Sequence, residues 1–382
     1  MTAAAAAAPR SLVIDAFKAA ACLAIVLHHL AFYGPMSDAA ARLAPTLFEA
    51  LSRYGRYAVQ VFLVVAGFLA ARSLAPDRRW RASMSPGREI ATRYLRLVVP
   101  LTVTLALAVA AAGVARALMD HPSVPQAASP TQVVAHLLLL QDLLGFDSLS
   151  AGLWYVAIDF QLHAALVLML VAARAVEQRG GASVAAAPLL VAVGVVTSAW
   201  VFNGWKAWDI AAPYFFAAYG LGVLAAWWPM QRSPRALAFV AVLALVGLAL
   251  AWDWRGRLAF AVGVASILWV WAGLTPQVER AAADAPRRRA TPRPLVRGVA
   301  WLGGLGYAVF LVHFPISLMV NAEFAAFVPA DPWPQMAGVV LALGASIAAA
   351  ALLHHAVERP TMKWLAGRRA PRHVAPHRLA KA

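Results

Sequence analysis

Ten stretches of roughly 20 mostly apolar residues constrain the fold more than any other feature of the sequence. They lie near 11–33, 57–75, 97–119, 151–173, 184–201, 210–229, 236–252, 257–274, 300–321 and 336–356. Each is long enough to cross the hydrocarbon core of a bilayer as a helix. Within lipid a span must satisfy its own backbone hydrogen bonds, so it is a helix or part of a closed barrel. The runs of Ala, Leu and Val lack the period-2 alternation of barrel strands. The expected fold is all-α, a polytopic membrane protein of about ten transmembrane helices. A soluble chain with 62% hydrophobic and 13% charged residues could not hide this much apolar surface.

Basic residues set the expected orientation. Most of the 33 Lys and Arg residues fall at one set of ends and loops, including Arg72–Arg96, the segment 280–299 and the tail 365–382. The alternate loops hold only Arg42, Arg53, Arg56, Arg116, Lys206, Arg255 and Arg257. Positive charge stays inside, so both termini are expected in the cytoplasm, in agreement with an even number of spans. The +16 net charge is thereby read as topology and headgroup contact, not nucleic-acid binding. Residues 1–364 form the expected membrane domain, with 280–299 as a basic cytoplasmic linker and 365–382 as a basic tail. The N-terminal stretch carries Lys18 and lacks a cleavage site, so it is expected to remain as the first span. Segment 131–145 is apolar but short, and is read as an interfacial or re-entrant helix. A single cysteine, Cys22, excludes a disulfide framework and a cysteine-rich metal site.

Ionisable groups inside apolar spans are costly and mark candidate function. Lys18 and His29 are 11 residues apart, within roughly 20° of one helix face and about 16 Å apart along the axis. Such a stripe suits a long anionic ligand whose reactive end reaches the imidazole. The alternative is a snorkelling lysine and a hydrogen-bonded core histidine. Asp15 is placed to pair with Lys18, and His28 points about 100° away from His29. Arg93 and Arg96 share a face at a membrane boundary, suited to phosphate or to lipid headgroups. Tyr155, Asp159 and His163 recur every fourth residue as a polar stripe. His313 lies beside Pro315, where a kink is expected. His354 and Glu358 are spaced i,i+4, with Glu358 expected to pair with Arg359 or a loop arginine. Gly67 permits close helix packing.

Six of these segments, in order, resemble the acyltransferase-3 family of integral membrane O-acyltransferases. IDAFKAAACLAIVLHH is similar to the family's opening span, with Lys18 for the usual arginine and His29 as the aligned histidine. GRYAVQVFLVVAGFL resembles G-V-D-x-F-F-V-x-S-G-F-L, with Gln60 for the acid and Ala66 for the serine. RYLRLVVPL, LWYVAIDFQLH, GYAVFLVHFPI and AVERP resemble the remaining family segments, with Asp159 for Glu and His163 for Tyr. The resemblance runs from Ile14 to Trp364 and is to the form with no appended extracytoplasmic hydrolase domain.

The resemblance implies transfer of an acetyl or other short acyl group from cytoplasmic acyl-CoA to a hydroxyl of a cell-surface glycan or glycolipid. It implies a multi-pass protein of the inner membrane with no permanently bound cofactor or metal. His29 is then the expected general base or transient acyl carrier, oriented by Asp159. Lys18, Arg93 and Arg96 are expected to hold the donor phosphates, with His313, Tyr155, His163 and Glu358 as secondary candidates. A proton-coupled transporter using His29, Asp159 and His313 as a relay is the rival class, and a non-catalytic lipid- or glycan-binding subunit a third.

Overall fold

The computed structural model describes residues 11–180, 186–229, 234–284 and 294–369. Residues 285–293 of the linker, the tail beyond Arg369 and the first ten residues lie outside the described residues. Described residues form helices and no strands. In chain order the helices are α1 Leu12–Phe32, α2 Pro35–Ala40, α3 Pro45–Tyr54, α4 Ala58–Leu74, α5 Pro86–Leu118, α6 Pro130–Leu137 and α7 Leu153–Gly180. They continue as α8 Ala186–Thr197, α9 Ala212–Trp227, α10 Pro234–Trp252, α11 Gly256–Asp284, α12 Pro294–Phe327, α13 Pro332–Leu353 and α14 Arg359–Arg369.

Helix starts follow local chemistry. Ser11 caps α1 by accepting from the Ile14 N–H, Ser129 and Gln132 form a reciprocal capping box on α6, and Asp331 caps α13. Each satisfies donors that the first helical turn leaves without partners. Proline occupies the first turn of α2, α3 and α5, where no amide hydrogen is needed.

All ten apolar segments are helical, but they differ in length. Eight helical stretches among the described residues are long and apolar enough to cross a membrane. The fifth and sixth expected spans are shorter, Ala186–Phe202 and Ala212–Trp227. Shortness is tolerated in α9 because the protein encloses it: every residue is buried except Pro213 and Ala226. The second span is preceded by α3 and a 3₁₀ turn, Gly55–Tyr57, neither of which the hydropathy pattern shows. The last continues through a π-helical turn, His354–Glu358, into α14, past the expected boundary at 364. Segment 131–145 is a short helix, α6, followed by turns. Pro315 lies inside the continuous helix α12.

Two contacts position the core. α4 crosses α9 so closely that a Cβ on Gly67 would come 2.0 Å from the Tyr219 carbonyl oxygen, and one on Gly222 2.0 Å from that of Val64. The paired glycines let the two backbones touch, and the small-residue packing expected at Gly67 is what this crossing requires. α1 packs along α12, which also contacts α5 and α13. This places His29 against a helix nearly 300 residues distant in sequence.

Candidate active site

His29, 8% exposed, faces His313, 1% exposed, across the α1–α12 interface. His29 Nδ1 lies 2.6 Å from His313 Nε2. The ring planes are 5° apart with centroids 4.8 Å apart, the geometry of two imidazoles joined edge to edge. His313 Nδ1 lies 3.1 Å from the Val309 carbonyl oxygen. A carbonyl only accepts, so His313 Nδ1 carries the proton and its Nε2 presents a lone pair. His29 Nδ1–H must then donate to it. The chain Val309–His313–His29 fixes the His29 tautomer and leaves its Nε2 as the basic nitrogen.

His29 lines a cavity of about 200 Å³, together with His28, Tyr33, Arg56, Gln60, Gly152, Trp154, Arg257 and Phe310, among others. Apart from Phe310, which comes from the middle of α12, these residues lie at or beside the C-terminal end of α1 and the N-terminal ends of α4, α7 and α11, because successive spans reverse direction. Gly152 has φ +95°, and a Cβ there would meet Phe310 Cζ at 2.8 Å. Glycine is therefore needed both for the turn into α7 and for room beside Phe310. His28 Nδ1–H donates to the Leu51 carbonyl (3.0 Å).

Asp159 is not the partner of His29. Its carboxylate accepts from Arg93 Nη2 at 2.7 and 2.5 Å, and only 5% of the Asp159 side chain is exposed. The correction has a physical reason: a buried carboxylate needs a full positive charge, which a permanently protonated guanidinium supplies and a neutral imidazole does not. Arg93 thereby braces α5 to α7 and is not an open phosphate grip. Arg96 remains exposed. Tyr155, one turn from Asp159, stacks its ring edge-on to Phe310 with centroids 5.1 Å apart, and Phe310 lies 6.1 Å from His313. An aromatic wall thus separates the ion pair from the imidazoles.

Of the remaining candidates, Lys18 is half-buried on α1, its Cε 4.0 Å from where a Cβ on Gly306 would sit. His163 is buried on α7. Glu358 accepts from His354 Nδ1 at 2.7 Å across the π-helical turn, while Arg359 contacts His355. In place of the expected pair with Arg359 or a loop arginine stands one with His354, which the wider turn brings into line. The sequence reading missed Gln60, Arg56 and Arg257 as cavity residues. Its available signal was the scarcity of basic residues on that side of the chain.

The fold and site define a multi-pass α-helical membrane protein with a tautomer-fixed histidine pair beside a buried cavity. Residues 12–355 match the acyltransferase-3 family model, an acyltransferase domain. The chain belongs to this family of membrane acyltransferases. No curated protein and no solved structure matches it.

Proposed function

We propose that this protein is an O-acyltransferase of the inner membrane, with both termini cytoplasmic. It moves an acetyl or other short acyl group from acyl-CoA to a hydroxyl of a cell-surface glycan or glycolipid. The observation that carries this reading is the His29–His313 pair, whose hydrogen-bond chain leaves a basic nitrogen on a residue lining the cavity.

His29 Nε2 takes the proton of the acceptor hydroxyl as its oxygen attacks the thioester carbonyl carbon. The C–S bond breaks as the new C–O bond is completed, and the thiolate leaving group takes the proton back from His29 Nε2. The transient positive charge on His29 is stabilised through Nδ1–H by the His313 lone pair. General base catalysis of this kind contributes roughly 10²–10⁴-fold in rate. Lys18 and Arg96 attract the donor phosphates, while Arg93 and Asp159 hold α5 and α7 in register.

Mass spectrometry of surface glycans and lipids from cells with the intact chain, with His29→Ala and without the protein tests the reading. The expected result is an added acyl mass that His29→Ala abolishes while folded protein persists in the membrane. Full acylation with His29→Ala, or substrate movement in sealed vesicles with no consumption of acyl-CoA, rejects it.

A further inference from the structure

The geometry points to an acceptor that carries an oxyanion, a phosphate or a carboxylate, bound by Arg56 and Arg257 beside the hydroxyl that His29 deprotonates. This inference rests on the acyltransferase reading and names the substrate class of the same cavity.

Two cations share the cavity wall with His29, and among the described residues no Asp or Glu lines it. Arg56 is exposed and makes no hydrogen bond or ion pair with a described residue. Arg257 is anchored from one side: Nη2 donates to Tyr214 Oη at 2.8 Å and to Asp209 Oδ2 at 3.4 Å, and the guanidinium lies 5.5 Å from the centre of the Tyr214 ring. These contacts fix the guanidinium without using its Nε or Nη1 donors. Asp209, the counter-charge, meets the guanidinium only through Nη2 and is itself partly exposed, with 28% of its side chain accessible. Gln60 adds a neutral amide to the wall.

A cavity of this composition favours a negative group. Its volume, about 200 Å³, is below the usual 300–1,000 Å³ of a complete ligand pocket, so it admits the reacting end of a larger molecule. Arg56 and Arg257 belong to the few basic residues of the side opposite the arginine-rich loops. In the proposed orientation that side is external, where a glycan or glycolipid would approach, while the thioester of the donor reaches His29 from the opposite, cytoplasmic side. Guanidinium forks suit either a phosphate or a carboxylate.

The test reads binding, not turnover. Cys22 is fully buried and is the sole cysteine, so labelling by a thiol-reactive dye during heating reports opening of the intact chain in detergent. A ligand that binds the folded form delays labelling. Probes are glucose 6-phosphate, glucuronate, glucose and coenzyme A. Protection by glucose 6-phosphate but not glucuronate assigns a phosphate acceptor, and the converse a carboxylate. The supporting result is protection by one or both anionic sugars, none by glucose, and about a tenfold weaker apparent affinity in Arg56→Gln and in Arg257→Gln. Gln60→Glu, which adds a carboxylate, weakens it similarly, and Arg53→Gln, outside the cavity, leaves it unchanged. His29→Ala retains the protection, which separates this inference from the catalytic role of His29. Equal protection in Arg56→Gln and the parent overturns the inference. So does loss of coenzyme A protection alone in the arginine variants, which makes this the donor's end, and so does protection by glucose as strong as by its charged analogues.

Discussion

Removing either half of the Arg93–Asp159 pair is expected to destabilise the protein far more than removing both. The side chains are 22% and 5% exposed, and both carboxylate oxygens contact the same Arg93 nitrogen. A solvent-exposed pair would contribute about 0–1 kcal/mol. At this burial the charge left behind dominates, and breaking such a pair costs about 3–5 kcal/mol. The geometry is less than ideal, since Arg93 Nε is buried without a hydrogen-bond partner. The lower end of that range, about 3 kcal/mol, is therefore expected for Arg93→Met and for Asp159→Leu. The double variant replaces two charges by apolar groups of similar volume and should lie within about 1–2 kcal/mol of the parent. Dye labelling of Cys22 at equilibrium reads this directly. When closing outpaces labelling, the rate follows the open population, and about 3 kcal/mol accelerates it roughly 100-fold. Single variants that label at nearly the parental rate, or a double variant that loses the sum of the two, refute the reasoning. Additivity would mean that the two groups do not stabilise each other.

In the proposed mechanism His313 is a positioning residue, its lone pair fixing the His29 tautomer. His313→Leu should lower acyl transfer about 100-fold with little change in thermal stability. His313→Gln, whose amide oxygen can accept from His29 Nδ1–H, should restore at least a tenth of parental turnover, and equal loss in both variants would remove the tautomer argument. Gly67→Ala forces a Cβ to within 2.0 Å of a backbone oxygen that cannot rotate away, and should cost about 2–4 kcal/mol by Cys22 labelling. Gly304→Ala, with nothing within 4 Å, is the matched control and should be near neutral.

The helices were legible in the sequence because a span has a characteristic length and composition, and all ten apolar runs are helical, eight of them long enough to cross a membrane among the described residues. The short α2 and α3 lack that constraint; only Pro35 and Pro45 announce them. His29 was legible because 11 residues return a helix to nearly the same face, so a cation and an imidazole could be aligned without tertiary knowledge. Its partner was not. His313 meets it only through packing of α1 on α12, and no local pattern encodes a contact across 284 residues. Asp159 was recognisable as a costly acid needing a partner, yet its position alone could not distinguish Arg93 from an imidazole. What decided between them was charge, since only a cation offsets a buried carboxylate fully. Arg56 sits in the 3₁₀ turn before α4 and Arg257 in the first turn of α11, and their distance from His29 exists only after the spans have folded back on one another.

The short central helix α9 has one more consequence. Its 16 residues rise about 24 Å, less than the roughly 30 Å thickness of bilayer hydrocarbon. Lipid tails do not feel this deficit, because neighbouring helices sheath it. The shortfall is met inside the bundle, where the loop that carries Asp209 holds Arg257 on the wall of the cavity. Polar chemistry can thus proceed beneath the membrane surface while the outer wall of the bundle stays greasy and of ordinary height.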